Sequence, residues 1–325
     1  MRILLVKTSS LGDVIHNLPV ATDIRRHFPN ARIDWVVEEN FIDLPRLHPA
    51  VGRVIPVAIR RWRKAVLSSS TWQEIGAFKH SLRSVRYDLV LDTQGLLKSA
   101  LLARTARLAP EGRRCGHDKD AVREPIAARF YDKGYAIPRN AHAVERNRQL
   151  AAAALGYSLE TDSLDYGISA EPLAADWLPA PYAVLLTATS RDDKLWPEDH
   201  WIALGKTLHA QGLACVLPAG SARERERATR IASAIPGAVV APAMGLKELA
   251  SLFAGARQVV GVDTGLTHLA AALHRPTAAI FTGSEPTLTG VYAGDLATNL
   301  GGRNQVPSTD DVLAALHRLT PAPRP

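Results

Sequence analysis

Two short segments, far apart in the chain, most constrain its fold. Each follows an apolar run and contains glycine: Val6-Lys-Thr-Ser-Ser-Leu-Gly-Asp13 in the first half and Gly261-Val-Asp-Thr-Gly-Leu-Thr-His268 in the second. A strand that passes through such a loop into a helix points backbone N–H groups and the positive helix end at an anionic or hydroxylated ligand. Two such segments predict an α/β fold of two Rossmann-like, doubly wound lobes that face a central cleft.

The composition of the chain fits this expectation and excludes some classes of protein. The 325 residues, 46% of them apolar, are enough for two domains with separate cores. The N-terminal apolar run is too short for a secretory signal or a membrane span, so we expect a cytoplasmic protein. Cys115 and Cys215 lack metal-ligand spacing, which indicates neither a disulfide framework nor a zinc site. The net charge of +7 suits acidic partners but does not distinguish nucleic acid, lipid surface and phosphorylated sugar.

Short β-branched runs alternate with helical patterns along both halves. The predicted strands are Ile3 to Val6, Ile33 to Val37, Val54 to Val57, Leu89 to Leu91, Tyr182 to Leu186, Leu213 to Leu217, Val239 to Val240, Gln258 to Val262 and Thr277 to Phe281. The predicted helices are Asp13 to Phe28 with an interruption at Pro19, Gly95 to Arg107, Val144 to Leu155, Glu198 to Ala210, Ala222 to Ile235, Leu246 to Ala256 and Leu266 to Leu273. A last helix is predicted after Ser308, with Asp311 completing a capping box.

The periodicity fades between Gly156 and Pro181, where the chain is polar and contains several prolines. We therefore expect the boundary between the two lobes there, with the first lobe covering residues 1–170 and the second 171–307.

Asp13 follows Gly12 at the predicted junction of strand and helix. Its carboxylate should lie at the carboxyl edge of the first sheet, where ligands bind in open α/β folds. One interpretation is that Asp13 only caps the helix, a common role for aspartate. The other is that it is a general base, because a carboxylate on a rigid turn can be held within hydrogen-bond reach of a hydroxyl.

The second half places polar groups after successive predicted strands, as a nucleotide-sugar site in an open sheet requires. The free N–H groups near Thr264 and Gly265 can hold a diphosphate, and Lys194 can add a positive charge. Glu224 and Asp263 suit sugar hydroxyls, since a carboxylate accepts two hydrogen bonds at once. The candidate donor-site residues are Thr189, Ser190, Lys194, Glu224, Met244, Asp263, Thr264, Gly265 and His268. Viewed singly, His268 also fits a core position and Glu224 a solvated helix face.

A basic cluster, Arg60-Arg-Trp-Arg-Lys64, places four cations and one tryptophan within five residues. Such a cluster fits a solvated charged face as well as a site for an acidic ligand.

At these residues the chain resembles the bacterial lipopolysaccharide heptosyltransferases, and most closely the branch that adds the first L-glycero-D-manno-heptose to the Kdo region of lipid A. The resemblance covers nearly the whole chain, and the basic cluster is specific to that branch. The segments that carry it are Val6 to Asp13, Trp35 to Glu39, Arg53 to Lys64, Asp92 to Ser99, His142 to Arg146, Arg191 to Pro197 and Val262 to His268.

The resemblance implies a glycosyltransferase B fold with an N-terminal acceptor lobe, a C-terminal donor lobe, and a terminal helix, about 308–319, that crosses back to the first lobe. It implies that Asp13 deprotonates a Kdo hydroxyl, which attacks ADP-heptose with inversion, and that no cofactor or obligatory metal takes part. The acceptor would contact Arg60, Arg61, Arg63, Lys64, Arg123, His142 and Arg146. It also implies a lipid-anchored acceptor, peripheral contact with the cytoplasmic face of the inner membrane, and no nucleic-acid partner.

Two positions depart from this pattern, and two other functions stay open. Ser190 stands for a threonine, and Ala219 stands where relatives carry tryptophan, which puts the donor affinity in question.

One alternative function is that of a heptosyltransferase that acts on a later core position. The other is a basic membrane-surface or nucleic-acid binding module without catalysis, which would not need Asp13.

Overall fold

A computed structural model describes residues 1–160 and 164–319. Within it the chain divides into two units between Ile168 and Ser169. Each unit carries its own parallel six-stranded sheet.

The first unit is a doubly wound sheet with strand order β3-β2-β1-β4-β5-β6, all pairs parallel. Its strands are β1 (Arg2–Val6), β2 (Arg32–Glu38), β3 (Val51–Val57), β4 (Arg86–Asp92), β5 (Arg107–His117) and β6 (Lys133–Tyr135). Its helices are α1 (Leu11–Ile15), α2 (Leu18–His27), α3 (Asp43–Arg46), α4 (Ile59–Trp62), α5 (Ser69–Arg83), α6 (Leu97–Thr105) and α7 (Ala143–Leu155).

The second unit repeats the same arrangement, with strand order β12-β11-β10-β7-β8-β9. Its strands are β7 (Tyr182–Leu186), β8 (Ala214–Leu217), β9 (Val239–Val240), β10 (Gln258–Val262), β11 (Thr277–Phe281) and β12 (Ala297–Gly301). Its helices are α8 (Glu198–Ala210), α9 (Ala222–Ser233), α10 (Leu246–Gly255), α11 (Gly265–Ala272) and α12 (Thr309–Leu319). In both units the strand order reverses beside the unit's first strand, and ligands of doubly wound sheets bind at that point.

The predicted strands form because both faces of each parallel sheet are covered by helices. Every residue of β7, β10 and β11 is buried, as are the last four of β1. The predicted break at Pro19 is confirmed: α1 ends at Ile15, and α2 begins at Leu18 with the proline in its first turn, where no amide hydrogen is needed.

Six elements were missed by the sequence analysis: β5, β6, β12, α3, α4 and α5. Strand β5 carries Pro110, Gly112 and several charges, so it has no apolar run to find. Two of its arginines are held by neighbouring helices. Arg114 donates to the carbonyl oxygens of Ala103 and Ala106 at the end of α6, and Arg113 to that of Ala154 in α7.

The terminal helix has its packing contacts in the second unit. It begins at Thr309 with the predicted capping box, in which Asp311 accepts hydrogen bonds from the amide and hydroxyl of Ser308. Its apolar stripe, which includes Val312 and Leu316, is buried in the core of the second unit, where α12 packs against α8, β11 and β12. In the described residues its packing partners therefore belong to the second unit.

None of the helices in the described parts of the chain is both long and apolar enough to span a bilayer. Both cysteines are buried as free thiols.

Candidate active site

Asp13 lies in the first turn of α1, directly after β1 and beside the point where the first sheet reverses its strand order. It is the third residue of a capping box. Its Oδ2 accepts hydrogen bonds from the backbone amide of Ser10 at 2.8 Å and from the Ser10 hydroxyl at 3.0 Å. No described residue donates to Oδ1, and the side chain is half-buried. One oxygen therefore fixes the carboxylate while the other is open to a ligand.

A buried polar layer supports the loop that carries Asp13. The Gln94 side-chain oxygen accepts from the amides of Thr8 and Ser9, at 2.9 and 3.1 Å. The Asp92 carboxylate accepts four hydrogen bonds, from two amides of the loop after β4 and from the hydroxyls of Ser99 and Tyr131. Burial raises the pKa of Asp92, and these four bonds oppose that shift. The layer holds the two strand ends of the reversal point in register.

Lys7 lies buried behind this layer. Its Nζ donates to the carbonyl oxygen of Thr93 at 2.8 Å and to Asn147 Oδ1 at 3.4 Å. Burial lowers the pKa of Lys7, while the nearby carboxylates of Asp13 and Asp92 act in the opposite direction. Closer to the surface, Lys98 donates to the Ser9 hydroxyl at 3.0 Å. Burial also lowers the pKa of Lys98. Neither lysine was singled out by the sequence analysis.

The cations of the basic cluster have unequal surroundings. Arg60 and Arg61 lie on the short helix α4, and Arg63 and Lys64 in the turn that follows. Arg61 is engaged: it bridges Glu39 and Glu74, and these bonds raise its pKa. Arg60, Arg63 and Lys64 are exposed, and within the described ranges none of them forms an ion pair. The structure thus leaves three of the four cations available to an anionic ligand.

The other acceptor candidates also differ in availability. Arg123 is exposed, and it lies near enough to Lys7 and Lys98 to lower the pKa of each. His142 caps α7, its Nδ1 accepting from the amide of Val144 at 3.2 Å. Arg146 is half-buried and donates to the carbonyl oxygen of Ala121 at 2.7 Å. His142 and Arg146 thus already have structural roles at the start of α7.

The second unit has a cavity of about 280 Å³ at the carboxyl edge of its sheet. Five of the nine donor candidates line it: Thr189, Ser190, Glu224, Met244 and Thr264. The rest of the lining is mostly apolar and was largely missed: Leu186, Ala188, Pro218, Ala219, Gly220, Pro242, Leu249 and Leu266. Several of these residues directly follow a strand, and this position could have identified them. A flat apolar ring system with one polar edge suits such walls.

Lys194 and Asp263 do not line this cavity, but Asp263 is hydrogen-bonded to Thr189, which does. Lys194 Nζ lies 2.7 Å from Asp263 Oδ2, which also accepts from the hydroxyl of Ser284. The hydroxyl of Thr189 donates to the backbone carbonyl of Asp263 at 2.9 Å. This ion pair therefore ties the loop after β7 to the loop after β10. Ser284 lies on a loop in which no motif predicted a site residue.

Glu224 and Asp13 are held in the same way. Glu224 is the third residue of a capping box at the start of α9, and its Oε2 accepts from the amides of Gly220 and Ser221 at 2.8 and 2.9 Å. Among the described residues none donates to its Oε1, and the side chain borders the cavity. One oxygen of this carboxylate is thus fixed and the other faces open space.

Helix α11 begins at Gly265, with Thr264 as its N-cap residue. Its close approach to β10 depends on Gly261, where a Cβ atom would lie 2.2 Å from the Thr267 hydroxyl. That hydroxyl donates to the carbonyl oxygen of Val262, which fixes the turn. His268 is buried in α11 and does not reach the cavity lining. The positive end of α11 therefore points to the same corner as the Lys194–Asp263 pair.

Across residues 1–160 and 164–319 no three His, Cys, Asp or Glu side chains are grouped as a metal site would need.

Comparison with known proteins adds four findings. The family model described as "Glycosyltransferase family 9 (heptosyltransferase)" matches residues 75–314. The lipopolysaccharide heptosyltransferase 1 of Pseudomonas aeruginosa is 50% identical over 94% of this chain and 83% of its own length. The structure of the Escherichia coli heptosyltransferase WaaC with ADP superposes with a TM-score of 0.90 at 42% identity, covering 98% of this chain and 100% of that one. The same enzyme with ADP-2-deoxy-2-fluoro heptose gives a TM-score of 0.85, with 97% and 98% covered.

Proposed function

Because the chain belongs to glycosyltransferase family 9, the heptosyltransferases, we propose that it transfers L-glycero-D-manno-heptose from ADP-heptose to the Kdo region of lipid A, the first heptose of the lipopolysaccharide core. The observation that carries the proposal is the match to ADP-bound and ADP-heptose-analogue-bound relatives over nearly the whole chain. The fold, two parallel six-stranded sheets, is the glycosyltransferase B fold of those relatives.

The donor belongs to the second unit in this proposal. The apolar cavity walls suit adenine, and the open oxygen of Glu224 suits the ribose hydroxyls. The diphosphate would lie at the start of α11, where free N–H groups and Lys194 balance its charge. Asp263 would then accept from sugar hydroxyls, since phosphate oxygens repel a carboxylate. Gly265 would allow the close approach, whereas buried His268 would act through packing in α11.

Replacing Lys194 with methionine tests this assignment. We expect the KM for ADP-heptose to rise by roughly ten- to a hundredfold, because a hydrogen bond from a charged group contributes about 1.5–3 kcal/mol. Steady-state kinetics with varied donor measures it. Lys206→Met is the matched control, since that lysine is exposed on α8 of the same unit. An unchanged donor KM in the Lys194 variant would contradict a role at the diphosphate.

The acceptor belongs to the first unit in this proposal. Oδ1 of Asp13 takes the proton of a Kdo hydroxyl, and the hydroxyl oxygen then bonds to the anomeric carbon of the donor. The bond from that carbon to the diphosphate breaks on the opposite face, so the configuration inverts and ADP leaves. The acceptor's carboxylates and phosphates would meet Arg60, Arg63, Lys64 and Arg123, which are exposed. Arg61, His142 and Arg146 would help by shaping the site.

A triple variant tests the cations. Changing Arg60, Arg63 and Lys64 to glutamine should raise the acceptor KM about tenfold at low salt, since each exposed charge contact contributes roughly 0.5 kcal/mol. The increase should shrink as ionic strength rises, because salt screens exposed charges. The control removes the same total charge elsewhere on the unit, at exposed Lys79, Arg83 and Arg86. Equal effects of the two triple variants would mean that only net charge matters.

The place of action follows from the acceptor. Kdo-lipid A is anchored by its acyl chains, so the proposal includes peripheral contact with the cytoplasmic face of the inner membrane. Exposed Arg60, Arg63 and Lys64, which follow the edge strand β3 of the first sheet, support contact with an anionic surface.

Mass spectrometry tests the reaction itself. The protein is incubated with ADP-heptose and either a Kdo-bearing acceptor or one that already carries heptose. We expect a single heptose added to the first acceptor and none to the second. Transfer only to the heptosylated acceptor would favour the alternative function at a later core position, and transfer to neither would refute both.

A further inference from the structure

The turn between α4 and α5, together with the first turn of α5, exposes an unusual amount of apolar surface. Leu67 is 98% exposed, Trp72 61% and Val66 53%, and we name these three residues the apolar tip. In the described residues only nine large apolar side chains are exposed, and three of them fall within this seven-residue stretch. Single exposed apolar residues are ordinary on protein surfaces, but a contiguous group marks an interaction site.

The turn that carries the apolar tip is ordered by its own hydrogen bonds. The amide of Ser68 donates to the carbonyl oxygen of Ala65 at 3.0 Å, and the hydroxyls of Ser68 and Ser70 lie 2.7 Å apart. The indole Nε1 of Trp72 donates to the carbonyl oxygen of Val66 at 2.8 Å. The apolar side chains are therefore exposed on an ordered turn. The Val66 carbonyl oxygen and the Trp72 indole N–H beside them are hydrogen-bonded to each other.

That arrangement suits the boundary between water and lipid. A polar group that enters a low-dielectric region without a partner is costly, and the bond from Trp72 to Val66 removes two such groups. Tryptophan favours the bilayer interface, where its rings lie among the head groups. Exposed Arg60, Arg63 and Lys64 stand next to the tip in the chain, and basic residues beside apolar ones bind anionic bilayers.

We propose that the apolar tip inserts into the head-group region of an anionic phospholipid bilayer and docks the first unit there, so that Arg60, Arg63 and Lys64 face the anionic surface in which the acceptor is embedded. The inference rests on the proposed function in that a lipid-anchored acceptor gives such docking a purpose. It adds a lipid contact made by Val66, Leu67 and Trp72 of the apolar tip, which have no part in sugar transfer. Charge complementarity favours the bilayer over a second copy of this chain, which is itself basic.

Binding to vesicles without acceptor tests the docking. The vesicles contain phosphatidylglycerol and phosphatidylethanolamine, and co-sedimentation gives the partition coefficient. We expect Leu67→Ser to lower it at least about tenfold, the loss that follows from withdrawing one leucine side chain from an apolar environment. Val306→Ser is the matched control, since Val306 is an exposed valine of the second unit, and it should bind as the parent does. Equal binding by the Leu67 variant and the parent would overturn the proposal.

Tryptophan fluorescence gives an independent readout. Brominated lipids quench only an indole that enters the bilayer, so we expect them to quench the parent and to lose most of that effect in Trp72→Phe. Quenching that is unchanged in this variant would overturn the proposal, because another of the six tryptophans would then be the one inserted.

Sedimentation velocity tests whether a second copy of the chain binds the apolar tip instead of a bilayer. If Leu67→Ser dissociates an oligomer and leaves vesicle binding intact, the tip is an interface between copies.

An acceptor without lipid separates this inference from the proposed function. With a Kdo oligosaccharide freed of its acyl chains, Leu67→Ser should turn over at the parental rate, because the tip does not contact the sugar. Against acceptor embedded in vesicles its kcat/KM should fall at least about tenfold. No transfer by the parent to the soluble sugar would refute the function and leave the vesicle result standing. An equal loss on both acceptors would refute docking.

Discussion

Replacing Asp13 with asparagine is expected to lower kcat by at least about 100-fold, the usual loss when a general base is removed. Asparagine keeps the shape of the side chain and an oxygen that can accept from the Ser10 amide, so the start of α1 should survive. The affinity for ADP-heptose should stay within a few-fold, because the donor contacts proposed above belong to the second unit. Single-turnover kinetics and donor titration measure the two quantities separately.

The chain itself supplies the control for this experiment. Asp311 completes a capping box at α12 with the same pattern as Asp13, accepting from the Ser308 amide at 2.9 Å and from its hydroxyl at 2.7 Å. Asp311→Asn therefore makes the same change in a helix cap outside the proposed acceptor site. If both variants retain parental turnover, Asp13 only caps its helix. If both lose turnover equally, the effect comes from helix stability and the base must be sought elsewhere.

The second large effect is expected on stability. Arg148 of α7 and Asp23 of α2 form a two-pronged ion pair, with Nε–Oδ2 at 2.8 Å and Nη2–Oδ1 at 3.2 Å, and their side chains are 0% and 5% exposed. Asp23→Ala leaves a buried guanidinium without its main partner, which costs about 3–5 kcal/mol. Urea unfolding, followed by a probe in the first unit, measures the loss.

A surface pair of similar chemistry provides the comparison. Asp43 and Arg46 lie 3.6 Å apart on α3 with side chains 39% and 59% exposed, so Asp43→Ala should cost less than about 1 kcal/mol. Replacing both buried partners, as in Asp23→Leu with Arg148→Met, should recover much of the stability, since two apolar side chains need no charge partner. An Asp23→Ala variant that unfolds within about 1 kcal/mol of the parent would show that water or Glu145 compensates the arginine.

This buried pair also bears on the candidate site. Helix α7 carries Asn147, whose side chain accepts from Lys7 and donates to the carbonyl oxygen of His16. The pair fixes α7 against α2, so it sets the position of the buried lysine behind Asp13. Loss of the pair should therefore weaken the support of the loop as well as the fold.

The fold was largely predictable because the strongest signals come from burial on both faces of a sheet. Strands β7, β10 and β11 begin and end where the apolar runs do. Strand β5 could not be predicted because it has no apolar run. Its Arg113 and Arg114 are held by carbonyl oxygens of neighbouring helices, tertiary contacts that no local pattern encodes. The terminal helix begins where the capping box predicted. A capping box marks only the start of a helix, so it could not show which core the apolar stripe of that helix packs against.

The candidate site was predictable in part for a related reason. Positions at the carboxyl ends of strands brought Thr189, Glu224 and Thr264 to one cavity. The sequence could not show that Arg61 is already held by Glu39 and Glu74, nor that Ser284 shares Asp263 with Lys194, because those partners are distant in the chain. Charge counting alone treated every arginine of the basic cluster as equivalent.

The half-buried setting of Asp13 bears on how the catalyst is regenerated. A base that captures a proton must discard it before the next cycle, and a deeply enclosed carboxyl would need a chain of relays to do so. Here one oxygen stays anchored to Ser10 while the side chain keeps access to solvent. In the proposed reaction, bulk water or buffer can therefore take the proton from this carboxyl directly once the product departs, so its recovery needs no buried relay.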